Sequence, residues 1–259
     1  MSSTLYNQSL VYHKVSEDFE WGLTTVSPFA FKKQIAALRR RNLNFKCVRD
    51  LSVQSQTARD VAITFDDGYR SVYTHAFPIL SELDVRGTVF VITDFVGKTN
   101  DWDWQIGGRR FEHLNGSEIR ELHAAGWEIG SHTVSHRILT TIDRKAIQEE
   151  LKNSKETLEQ TLGAPVCSIC PPFNRFNEEI LELAREVGYT KCAVSFPLES
   201  PPIGYEDFVI PRLGVYHHEW ISVVRGKLEV NPWTPLVVLQ QQIINLAARG
   251  TEIRKRLAT

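Results

Sequence analysis

Residues 61–70 read VAITFDDGYR. Val61, Ala62, Ile63 and Phe65 form an apolar run of the kind buried in a strand, and Gly68 marks the turn that ends it. Two adjacent carboxylates, Asp66 and Asp67, stand at that junction. Side chains alternate faces along a strand, so the pair converges only where the backbone is already turning. In α/β proteins that end of a strand is where the chemistry is kept.

Further strands are predicted on both sides: SLVYHKV (9–15), NFKCV (44–48), GTVFVIT (87–93), WEIGSH (127–132), VCSI (166–169), KCAVSF (191–196) and FVIPRLGV (208–215). Helical segments fall between most of them. Ser27 caps a helix over 28–41, with Pro28 at the first helical position, where no backbone N–H is needed. Others span 72–83, 117–125 behind Ser117, and 177–188 closed by Gly188. A long one starts at Thr141 or Asp143 and ends near Gly163. Strands alternating with helices imply parallel βαβ units. About seven units favour an α/β fold with a closed or nearly closed barrel, whose active site lies at the C-terminal strand ends.

The chain has 259 residues, and 30 basic side chains balance 31 acidic ones. That argues against a nucleic-acid binder. No stretch approaches the roughly 18 apolar residues that span a bilayer. The start, MSSTLYNQSLVYHKV, has neither a basic n-region nor a long apolar h-region, so a cytoplasmic address is expected. Cys47, Cys167, Cys170 and Cys192 make no disulfide framework. The Cys167–Cys170 C-x-x-C lacks the second pair of a zinc ribbon and reads as ordinary thiols.

GSHTVSHRIL (130–139) supplies His132 and His136 in an H-x3-H. On a helix, i and i+4 share a face, so both imidazoles could reach one ion. Alone, the pair reads equally as capping or surface histidines. With the double aspartate at another strand end, it reads as a site for one divalent metal. One aspartate would bind the ion and the other would take a proton from the attacking water.

TFDDGY and SHTVSH resemble the first two motifs of the polysaccharide deacetylase family (NodB-homology, carbohydrate esterase family 4). LVYHKV followed by VSPFAFKKQIAALRRRNLNF is similar to the lead-in of a branch with an N-terminal YH motif. CPPFNRFNEEIL resembles the third motif and VIPRLGV a segment near the end of the barrel. The resemblance covers about 9–216. It implies a deformed (β/α)7, TIM-barrel-like fold in a single domain, 1–259, with a helical extension over about 217–259. It also implies metal-dependent hydrolysis of N- or O-acyl groups, usually N-acetyl groups on amino sugars. Asp66 matches the general base, and Asp67, His132 and His136 match the metal ligands. The backbone N–H of Phe173 matches the donor to the oxyanion, and Pro172 its neighbour on the substrate side. Cys170 stands where the family often has arginine, and Arg212 is the candidate replacement beside Asp66. No late L-x-H motif follows, and His217 and His218 lack its context. His13 matches an early histidine and is expected to protonate the leaving nitrogen, with a structural histidine as the other reading.

Tyr69 is expected to line the pocket. Trp102 and Trp104 are read either as surfaces for sugar rings or as packing anchors. Arg109 and Arg110 would meet a substrate anion or face solvent. The amphipathic tail from residue 236 would pack on the barrel, touch a membrane surface or form a dimer helix. A cytoplasmic address would favour a lipid- or nucleotide-linked amino sugar, a precursor of a surface polysaccharide. Zinc is the first metal expected, and cobalt, nickel, manganese and iron suit the same ligands. The alternatives are a deformylase or deacylase of a non-sugar amide, and a catalytically silent carbohydrate-binding barrel.

Overall fold

The computed structural model describes residues 9–17, 24–52, 59–100, 110–195, 203–217 and 219–228. Seven parallel strands carry the architecture: β1 (Ser9–Tyr12), β2 (Asp60–Phe65), β3 (Thr88–Val91), β4 (Glu128–Ser131), β5 (Ser168–Ile169), β6 (Lys191–Ser195) and β7 (Val209–Gly214). Each pairs with its neighbours in sequence, and β1 pairs with both β2 and β7. The sheet therefore closes, as the deformed (β/α)7 barrel expected from the sequence requires. Helices α1 (Pro28–Arg39), α2 (Phe77–Glu82), α3 (Gly116–Ala124), α4 (Arg144–Leu162) and α5 (Glu178–Val187) occupy the connections from β1 to β6. A short α6 (Ile221–Gly226) follows β7, and among the described residues no helix separates β6 from β7.

Strand alternation sorts the side chains into two cores. Ile63, Phe65, Val89, Val91 and Ile129 pack outward in one cluster with Phe31, Ile35 and Leu38 of α1. Ala62, Phe90, Cys170, Ala193 and Ile210 form the inner cluster. Val48 and Leu51 join it from a short 3-10 turn that plugs the N-terminal end of the barrel, where Val48 N–H donates to Thr88 Oγ1 at 3.0 Å. The same inward rows end, at the opposite mouth, on Asp66, His132, Cys170 and Arg212.

Most predicted element ends are found. Ser27 accepts a hydrogen bond from Ala30 N–H, Asn177 caps α5, and Gly163 and Gly188 close α4 and α5 at φ 65° and 96°. Asp143, not Thr141, caps α4. Asn115, not Ser117, caps α3, because its carboxamide accepts from Ser117 and Glu118 N–H while Glu118 accepts from Asn115 N–H. The helix expected over 72–83 begins as a π turn, Val72–Ala76. Pro78 has no N–H for the carbonyl four residues back, so the regular ladder starts late. Only Asn44–Phe45 of the 44–48 run forms a strand, paired to the foot of β2. The 9–15 run breaks at His13, and Lys14–Val15 pairs instead with Thr25–Val26. The amphipathic tail lies wholly outside the described residues, among which no helix is long and apolar enough to cross a membrane.

Candidate active site and metal centre

β2 delivers Asp66 on its inward row, with Asp66 N–H bonded to Tyr12 O at 3.0 Å. Alternation would turn Asp67 outward. Instead Asp67 adopts φ 69° and Gly68 φ 67°, so the chain doubles back and both carboxylates stay at the barrel mouth. A Cβ on Gly68 would meet Val91 Cα at 3.3 Å, which fits a glycine there. The turn is clamped from the 110–114 segment. His113 Nδ1–H donates to Asp67 O at 2.9 Å, and Leu114 N–H donates to Gly68 O at 2.9 Å. Burial depresses the His113 pKa, which favours the neutral ring this single donor needs.

His132 follows β4, and its Nδ1–H donates to Cys170 O at 2.6 Å, which leaves Nε2 as the atom that would offer a lone pair to an ion once its proton is gone. Nε2 lies 3.3 Å from Asp67 Oδ1, and His136 Nε2 lies 3.4 Å from the same oxygen. All three side chains are buried. Donors around one tetrahedral ion at about 2.1 Å stand about 3.4 Å apart, so Asp67, His132 and His136 fit a divalent metal. The helix expected for the H-x3-H is not there. Thr133 and His136 both have positive φ, 67° and 57°, and the two imidazoles meet across a tight loop rather than along a helix face.

Asp66 has a different partner. Arg212 reaches from β7 with Nη1 at 2.6 Å from Oδ1 and Nη2 at 3.0 Å from Oδ2, a bidentate pair almost wholly out of solvent. Nη1 also donates to Thr64 Oγ1 at 3.0 Å, and Nη2 lies 2.9 Å from Cys170 Sγ. Burial pushes the Asp66 pKa up, but Arg212 and then His132 outweigh it and hold the carboxyl below its ordinary 3.8. Burial also opposes ionisation of Asp67, and the bonds from His132 and His136 hold it lower still. A second group, Asp66, His132 and Cys170, also brings three ligand atoms together. There the guanidinium occupies both Asp66 oxygens and stands against the sulfur, so its charge repels a cation from that position.

His13 sits one residue beyond β1, half-buried, close enough to the two aspartates for a charge on its ring to lower the pKa of both. Phe173 lies in the turn after β5 at φ 56°, its ring 4.6 Å from that of His136, and Pro172 beside it is buried. Asn174 pins this turn to β6 through Ser195, accepting from its N–H at 2.7 Å and donating to its carbonyl at 3.2 Å. Tyr69 does not present a pocket surface. It is 1% exposed, packed on Phe111 and His113 beneath the mouth, because the backbone bridge to His113 draws it inward. Trp102, Trp104, Arg109 and His218 lie outside the described residues. His113 lies in none of the sequence motifs, and Asn174, although inside CPPFNRFNEEIL, is not singled out by it; their roles emerge only from contacts distant in sequence.

The polysaccharide deacetylase family model matches residues 54–192. YxkH of Bacillus subtilis (strain 168), itself named for this family, is 31% identical over 137 residues, 53% of this chain and 45% of that protein. The chain thus spans less than half the length of that relative. The poly-beta-1,6-N-acetyl-D-glucosamine N-deacetylase of Staphylococcus aureus (strain MSSA476) is 24% identical over 204 residues, 73% of this chain and 67% of the other. Among solved structures, Streptococcus pyogenes deacetylase PplD in complex with acetate superposes with a TM-score of 0.73 at 20% identity, over 88% of this chain and all of the other. IcaB from Ammonifex degensii gives 0.68 at 22% identity, over 85% and 96%. At these identities the structural matches speak for the shared barrel.

In the metal-free protein, burial disfavours the charged His132 ring, yet Cys170 and Asp67 raise its pKa well above 6.5. A proton and an ion then compete for Nε2. Metal uptake at pH 7 is expected to release protons, and affinity to weaken as pH falls. Calorimetry of zinc binding in buffers of different ionisation enthalpy measures the proton count, and a count of zero contradicts it.

Proposed function

The chain belongs to the polysaccharide deacetylase family, and we propose that it is a metal-dependent N-deacetylase of an amino sugar, in the branch with an N-terminal YH motif. The observation that carries this reading is the division between two adjacent carboxylates: Asp67 faces two imidazoles, while Asp66 is held by Arg212. A site for binding alone has no use for a second, separately oriented carboxylate.

In the proposed reaction Asp66 accepts the proton of the attacking water. Arg212 fixes its rotamer and keeps it ionised. A divalent ion on Asp67, His132 and His136 would polarise the acyl carbonyl and acidify that water, help that so weak a base requires. The Phe173 backbone N–H donates to the developing oxyanion, where a fixed donor lowers the barrier by about 3 kcal/mol. His13 gives a proton to the departing nitrogen. The C–N bond breaks, and a carboxylic acid and a free amine leave.

The substrate class follows from two supports. The name of the S. aureus relative specifies N-acetylglucosamine in a β-1,6 polymer. A cytoplasmic address, also part of the proposal, favours lipid- or nucleotide-linked precursors. Acetate release is therefore measured on β-1,6 oligomers and on both kinds of precursor, with zinc or cobalt added. Native turnover that falls about 10²–10⁴-fold in Asp66→Asn, with the ion still bound, is the expected result. Formate release without acetate would favour the deformylase. Ion bound in both proteins with no turnover on any acyl substrate would favour a carbohydrate-binding barrel.

The acid has its own test. His13→Gln is expected to slow amide hydrolysis by about 10²-fold or more while sparing an aryl acetate, whose leaving group needs no proton. Equal losses on amide and aryl ester would remove His13 from the acid role.

A further inference from the structure

The loop between His132 and His136 contains two non-glycine residues in the left-handed region, Thr133 and His136. Each such residue costs about 1–2 kcal/mol in isolation, so neighbouring contacts must hold the loop in shape. On one side, the turn after β3 does so: Thr93 N–H donates to Thr133 O at 3.2 Å and Asp94 N–H to Val134 O at 3.0 Å. On the other side stands α4. Ser154 and Ser131 share a hydroxyl–hydroxyl bond of 2.7 Å, and Ser131 Oγ accepts from Thr133 N–H at 3.1 Å.

One turn earlier on α4, Glu150 is 8% exposed and meets the loop directly. Its Oε2 accepts from Val134 N–H at 2.8 Å and from Ser135 N–H at 3.0 Å, and its Oε1 accepts from the Ser135 hydroxyl. Three donors from two consecutive residues converge on one carboxylate, and the next residue is His136. The helix that carries it is fixed at both ends, by Asp143 and Gly163.

We infer that Glu150 is a positioning residue for the metal centre: its carboxylate gathers the 134–135 backbone and so sets His136 Nε2 at Asp67. The inference rests on Asp67, His132 and His136 being the ligand set. Outer groups that orient ligands are worth about 10–100-fold in metal affinity. Without the carboxylate, the loop backbone relaxes out of its left-handed turns, and the imidazole that depends on them swings away. Glutamine at 150 preserves most of this. Its carbonyl oxygen takes both N–H groups, and its amide donates to the Ser135 hydroxyl, which turns to accept.

The test is cobalt(II) binding to the full-length chain, followed by visible absorption against a competing chelator, beside thermal unfolding of the metal-free proteins. Glu150→Ala is expected to weaken cobalt affinity about 10–100-fold, and Glu150→Gln to stay close to native. Leu158→Ala, a buried residue on the same helix, is expected to lower the unfolding temperature without changing affinity. Should Glu150→Ala fail to fold, Glu150→Asp, which withdraws the same charge from the loop, is expected to lose affinity in its place. Native affinity in folded Glu150→Ala, or in Glu150→Asp where Ala does not fold, overturns the inference, as does an equal loss in Leu158→Ala, which would make the effect one of stability alone. A native protein that takes up no cobalt overturns the ligand set, and the inference with it.

Discussion

The site depends on one buried ion pair. Asp66 and Asp67 are adjacent, deeply buried and both acidic, and two such carboxylates without cations would repel. Arg212 resolves this by claiming one of them with both arms. The pair also ties strands together, because β7 and β2 are each neighbours of β1 at the closure of the barrel. Burying a guanidinium is expensive unless its geometry is good and its donors are used. Here Thr64, both Asp66 oxygens and Cys170 surround it. With Asp66 neutralised in this way, Asp67 is left to face the two histidines.

Around that pair, the mouth of the barrel is built from strained turns. Left-handed backbone occurs at Asp67 after β2, at Thr133 and His136 after β4, and at Phe173 and Asn174 after β5. Each of these turns is held by a side-chain contact with another element: His113 on the Asp67 carbonyl, Glu150 on the 134–135 amides, and Asn174, from within its own turn, bonded across to β6. Regular strands could not bring these groups together, because alternation sends every second residue to the outer core. The departures from regular structure are therefore concentrated where the functional groups converge.

Much of this was legible in the sequence. The apolar runs, the cap Ser27 and the closing Gly163 and Gly188 are local signals, and they lead to a seven-unit barrel. The double aspartate, the H-x3-H and the arginine in VIPRLGV could be singled out because each sits in a distinctive short motif. What the sequence hid is of another kind. The spacing of His132 and His136 fits a helix as well as a loop, and only tertiary contacts decide for the loop. Tyr69 follows the double-aspartate turn, yet it is buried and paired with His113. His113 and Glu150 act on backbone atoms 46 and 15 to 16 residues away, and no local pattern announces such contacts.

On this reading Asp67 and the two histidines would hold the ion while Asp66 and Cys170 stay with Arg212. X-ray absorption at the zinc edge of the loaded protein tests it most directly. Nitrogen and oxygen neighbours only, at about 2.0–2.2 Å, are expected. A sulfur neighbour at about 2.3 Å would place the ion on Cys170, move it off Asp67 and His136, and contradict the division of the two aspartates.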